Sequence, residues 1–138
     1  MLFIHIFATG FALAVIVMSD KEAFDWMRGK KQMLDPLLLH RLHLLTWTAL
    51  LALIVSGLIL FYPQRTILLT NPLFIMKLLF VAILCVNGIL IGRLMGIAQM
   101  RPFVSLTSRE KMQLLVSGAA SFISWAGAFV LGMILFYF

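Results

Sequence analysis

Apolar residues occupy four long stretches of this chain, and polar residues collect in the joints between them. About 20 apolar residues carry an α-helix across a bilayer. On that measure the sequence predicts spans at about 2–19, 42–62, 72–96 and 113–137, with polar joints at 20–41 and 97–112 and a short turn after Tyr62. The expected fold class is all-α: an integral membrane four-helix transmembrane bundle, one domain over residues 1–138.

Helix boundaries carry their own signals. Asp35-Pro36 and Asn71-Pro72 each set a capping side chain before a proline at the first helical position. The second helix therefore runs from Pro36 to about Tyr62 and stops at Tyr62-Pro63. Thr107 and Glu110 have the capping-box spacing that opens the fourth helix, which closes on the interfacial aromatic cluster Phe136-Tyr137-Phe138. Ser19 and Glu22 share that spacing, which predicts a break after the first span and a short interfacial helix ending near Gly29. No basic residue precedes the first run and no small-x-small cleavage site follows it, which argues against a removed signal peptide.

Small and polar residues inside the spans mark helix contacts. Gly88, Gly92 and Gly96 recur every fourth residue and present a face that another helix can approach closely. Ala120, Ser124, Ala128 and Gly132 form a second stripe. Asn87 and Ser124 fall near the midplane, where Asn87 is expected to hydrogen-bond across helices for about 1 kcal/mol.

Composition excludes a soluble domain: 63% of the 138 residues are hydrophobic, 12% are charged, and the mean hydropathy is +1.09. The net charge of +6 does not point to nucleic acid, because the basic residues lie in the joints. Lys21, Arg28, Lys30, Lys31 and Arg41 occupy the first basic joint, and Arg93, Arg101, Arg109 and Lys111 the second; only Arg65 lies between helices two and three. The positive-inside rule then places both basic joints in the cytoplasm and both termini outside. The lone Cys85 excludes an internal disulfide and a CxxC metal site, and the scattered methionines read as packing filler.

Two polar residues share a depth on the outer side. His5 lies near the start of helix one and Lys77 one to two turns into helix three. His40 and His43 lie at the opposite end of helix two, roughly a membrane thickness (~30 Å) away, so no single haem is ligated by His5 together with either. Each residue has a plainer reading. His5 can be an interfacial histidine, and Lys77 can snorkel to the headgroups. His40 and His43, three apart on one face, are a weak metal pair with only Asp35 nearby as a third ligand; a wet interfacial pair is the simpler account.

An early histidine in helix one, the SGLILF ending of helix two, and the run MKLLFVAILCVNG of helix three together resemble a superfamily of small bacterial membrane proteins. It includes the HemJ-type protoporphyrinogen oxidases and the CopD-type copper-resistance proteins. The resemblance covers Leu2 to Gly96, while the fourth-helix text SGAASFISWAGAFVLG is similar to other four-span bacterial proteins. It implies that His5 and Lys77 are the functional residues, that haem b is the cofactor, and that the membrane is the bacterial cytoplasmic one. Asn87 stands where the family usually has a second histidine, and the tryptophan- and proline-rich signatures of the oxidases are absent.

Three functions follow as expectations. The first is a haem- or porphyrin-binding redox protein, with His5 as the iron ligand and Lys77 pairing an acidic group of the tetrapyrrole. The second is a CopD-like metal or solute permease whose outer vestibule His5 and Lys77 line. The third is a structural subunit, a homo-oligomer or part of a larger membrane complex, assembled through the glycine faces.

Overall fold

The structure, a computed structural model, describes residues 1–137, so Phe138 of the terminal aromatic cluster lies outside the described residues. Its helices are α1 (Leu2–Met27), α2 (Pro36–Phe61), α3 (Arg65–Leu68), α4 (Pro72–Met100) and α5 (Ser108–Tyr137). Single 3₁₀ turns cover Tyr62–Gln64 and Phe103–Ser105, and no strand occurs among the described residues. The fold is an all-α bundle. Four helical segments are long and apolar enough to cross a membrane: α1, the continuous Pro36–Leu68 stretch, α4 and α5. The chain is thus an integral membrane protein.

The proline-marked starts close as their residues dictate. Asp35 accepts a hydrogen bond from the Leu37 backbone N–H at 3.0 Å, and Asn71 from that of Leu73 at 2.9 Å. Thr107 and Glu110 form a reciprocal box: the Thr107 N–H donates to Glu110 Oε2 at 2.9 Å, and the Glu110 N–H to Thr107 Oγ1 at 3.3 Å.

One boundary and one joint differ from expectation. No break follows Ser19. Its hydroxyl donates back to the Val15 carbonyl at 2.9 Å instead of capping a new helix, and α1 continues to Met27. Lys21, Glu22 and Ala23 are all good helix formers, so nothing there stops the helix. The stop comes where Gly29 takes a φ of +78°, a left-handed turn that glycine adopts without strain. The second helix ends at Phe61, as its Tyr62-Pro63 signal predicts, but the joint after it is helical and not a bare turn. Pro63 sits in the first turn of a 3₁₀ helix, where its missing N–H costs nothing, and the chain runs on through α3.

The helices assemble as two antiparallel hairpins, α1 on α2 and α4 on α5, which meet across α2 and α4. That junction is antiparallel too. Phe61 stacks on Phe74 with ring centroids 5.2 Å apart, and Trp47 and His43 lie against Gly88 and Gly92. Ala12, Ala49, Leu50, Leu84 and Trp125 form the central core.

A second cluster, Trp26, Leu34, Ala98 and Leu106, closes the end of the bundle that carries the basic joints. Backbone pairing fastens it: the Leu34 N–H donates to the Ala98 carbonyl at 3.0 Å, and Trp26 Nε1 to the Arg101 carbonyl at 3.1 Å. Lys31 pairs with Glu22 at 2.5 Å, a hydrogen bond that holds its ammonium above the usual lysine range, and Arg101 pairs with Glu110. Elsewhere the apolar side chains point outward. Phe7 is 77% exposed and Phe122 65% exposed, which is the arrangement lipid requires.

Candidate functional site

Five inward-facing side chains between the spans rest on glycines of facing helices. A Cβ built on Gly57 would stand 3.5 Å from His5 Cε1, one on Gly92 3.3 Å from His43 Nε2, and one on Gly132 3.3 Å from Lys77 Nζ. The same holds for Trp47 over Gly88 at 3.0 Å and Phe80 over Gly127 at 2.5 Å. Part of the expected glycine face of α4 therefore receives side chains of α2 and not its backbone. Gly96, by contrast, has nothing within 4 Å.

At the end holding both termini, all four spans contribute to one group. His5 shares a face of α1 with the buried Ala8, Ala12 and Val15, spaced at the helical period. Its Nδ1 lies 2.8 Å from Ser56 Oγ on α2. Ser56 Oγ also lies 2.6 Å from the Ala52 carbonyl and has one proton to give. When that proton goes to Ala52, the serine accepts from His5 Nδ1 and Nε2 of the neutral ring keeps its lone pair.

Lys77 shares the inward face of α4 with Leu84 and Asn87. Its ammonium turns toward Gly132 of α5. No carboxylate side chain lies at this end, since all five Asp and Glu residues belong to the other. Lys77 is thus a cation inside the bundle without an acidic side chain to pair it. A charge in that setting is costly unless something pairs it.

At mid-depth Asn87 is 5% exposed and bonds across to α5 in both directions. Its Nδ2 donates to the Ser117 carbonyl at 2.9 Å, and Ser117 Oγ donates to Asn87 Oδ1 at 2.8 Å. Ser124, 2% exposed, is buried one helical repeat further along the same face.

Toward the basic-joint end lies a cavity of about 220 Å³. Its walls include Asp20, His43, Trp47, Asn87, Ser117 and Trp125, but neither His5 nor Lys77. Trp47 Nε1 donates to His43 Nε2 at 3.1 Å. An indole N–H can only donate, so that nitrogen accepts and its lone pair is engaged. His40, three residues away, is exposed, so the two imidazoles differ in surroundings. Among the described residues no three His, Cys, Asp or Glu side chains gather as a metal-binding group.

The sequence reading missed Asp20 and the cavity. Asp20 had been placed in a surface joint because the capping-box signal at Ser19 ended the span too early. Extending the face of Ala8, Ala12 and Val15 to Ser19 would have carried Asp20 into the bundle. No family model matches the chain, and neither a curated protein nor a solved structure matches it.

Proposed function

We propose that this integral membrane protein binds a tetrapyrrole, haem or porphyrin, at the end of the bundle that holds the termini, and serves a redox function there. The observation that supports the reading most directly is the hydrogen bond between His5 Nδ1 and Ser56 Oγ, with the serine proton on Ala52. It leaves Nε2 open, and a histidine that ligates metal commonly donates its other ring N–H to a neighbouring acceptor in this way. Lys77 supplies the complementary charge for a propionate or another acidic group. This donor set fits haem b, the cofactor that the superfamily resemblance implies: His5 would hold the iron and Lys77 a carboxylate. When bound, the iron would supply a one-electron couple. The protein's own part is to fix the imidazole tautomer, keep the ammonium paired and exclude water from both. The cavity at the other end touches neither residue. The positive-inside rule puts this site on the outer face of what we take to be a bacterial cytoplasmic membrane.

An absorption spectrum of the purified protein, with and without added haemin, tests the reading. A Soret band is expected in the wild type, absent from His5→Ala and from Lys77→Ala, with the double variant losing little more because the two share one site. His43→Ala should keep it. A band that survives His5→Ala and disappears with His43→Ala would overturn the assignment. If the wild type binds nothing, the structural-subunit reading takes its place.

The cavity favours a second reading, a small-solute permease. Polar groups then recur along the bundle interior from His5 and Lys77 through Asn87 and Ser117 to Asp20. Solute uptake into proteoliposomes that is abolished by both Lys77→Ala and Asn87→Leu would establish it.

A further inference from the structure

Asp20 stands apart from the other acidic side chains of the chain. Glu22 pairs with Lys31, Asp25 lies 4.0 Å from Lys30, Glu110 pairs with Arg101, and Asp35 accepts from the Leu37 N–H. Asp20 has no such partner among the described residues, and it is the one that lines the cavity. A carboxylate drawn into an apolar wall calls for a cation.

The rest of the wall narrows the kind of cation. The chain has three tryptophans, and Trp26, Trp47 and Trp125 all line this space although they come from three different helices. Aromatic faces attract cations through the ring quadrupole, and tryptophan does so best. The two other strongly polar groups are already engaged. Asn87 and Ser117 bond to each other. His43 accepts from Trp47, which an imidazolium cannot do, so His43 is neutral in this arrangement and is no counter-ion for Asp20. What remains is one negative charge, aromatic walls and about 220 Å³ of space. Such surroundings suit a partly apolar cation better than a strongly hydrated metal ion, which would need more oxygen ligands.

We propose that this cavity binds a small organic cation, a protonated amine or a quaternary ammonium ion, with Asp20 as its counter-charge and the tryptophan-bearing apolar wall beside it. The inference does not rest on the tetrapyrrole reading, since the two sites share no residue.

Tetramethylammonium chloride, titrated against sodium chloride at constant ionic strength, is a direct probe. The full-length protein is held in a maltoside detergent, whose sugar headgroup brings no ammonium group of its own. Because every tryptophan of the chain lines the cavity, binding should appear as a saturable change in intrinsic emission. Asp20→Asn should weaken it by about tenfold or more, equivalent to about 1.4 kcal/mol, while Asp20→Glu stays within about threefold. Asp25→Asn should bind as the wild type does. Ser121→Phe, which fills the cavity and leaves the charge in place, should abolish the saturable response and covers the case in which Asp20→Asn does not fold. A wild type that shows no saturation, a sodium response equal to the ammonium one, or unchanged binding in Asp20→Asn or Ser121→Phe would each overturn the proposal.

Discussion

Replacing Gly88 with leucine while making the same change at Gly96 separates two accounts of the glycine face of α4. A Cβ at Gly88 would already stand 3.0 Å from the Trp47 ring, so the rest of a leucine side chain would have to enter the space the indole fills. Trp47 does not move freely, because its N–H is bonded to His43, which itself rests on Gly92. Overpacking of this kind costs about 1–3 kcal/mol. Losing the Trp47–His43 hydrogen bond adds about 0.5–1.5 kcal/mol. Against this, leucine in place of glycine favours the helix by up to about 1 kcal/mol. The net expectation is a loss of about 0.5–4.5 kcal/mol for Gly88→Leu, the sum of those three terms. At Gly96 nothing lies within 4 Å, so only the helix-propensity gain remains and the variant should be neutral or slightly more stable. Unfolding midpoints in mixed detergent, followed by circular dichroism, would measure both. Removing the indole with Trp47→Ala should restore part of the loss in the Gly88→Leu background, because the two changes meet at one contact. Equal midpoints for the two leucine variants would refute the reasoning and would mean that the Gly88 face meets lipid.

Three further outcomes are expected. A reporter fused to the C-terminus should behave as extracytoplasmic, since nine of the eleven Lys and Arg residues lie in the two basic joints; a cytoplasmic signal would reverse the orientation. Ser117→Ala leaves Asn87 Oδ1 without its donor and should lower stability by about 1 kcal/mol in an unfolding titration, near the middle of the range for hydrogen bonds between membrane helices. Thr107→Ala removes the acceptor for the Glu110 N–H and should destabilise the start of α5 by about 1 kcal/mol, visible as faster amide exchange over its first turn.

Much of the architecture was legible because apolar length and proline placement act locally. The starts at Pro36 and Pro72, the box at Thr107 and the stop near Gly29 each depend on residues within one turn. The capping-box spacing at Ser19 misled for the same reason: a serine hydroxyl bonds equally well to the carbonyl one turn behind it, and only the continuing helix decides between the two. The inward aim of His5 was also readable, since it keeps the period of Ala8, Ala12 and Val15. What approaches the glycines was not. Glycine spacing announces room, but whether backbone or an indole fills it depends on Trp47, forty-one positions away along the chain. The cavity was equally hidden, because its walls come from both hairpins and close only when these have docked.

The rings and the ammonium seated over glycines also act as an index. In lipid, helices with smooth apolar flanks slide and roll past one another with little change in energy, because tails and side chains are equally apolar. A protrusion resting in a notch removes that freedom. One residue of slip moves the notch by about 1.5 Å along the axis and turns it by about 100°, which sends the protrusion against a full side chain. His5 over Gly57 indexes the first hairpin, and Lys77 over Gly132 with Phe80 over Gly127 indexes the second. Trp47 over Gly88 and His43 over Gly92 index one hairpin against the other. The side chains offered here as chemical groups are therefore also the teeth that set the vertical alignment of the bundle.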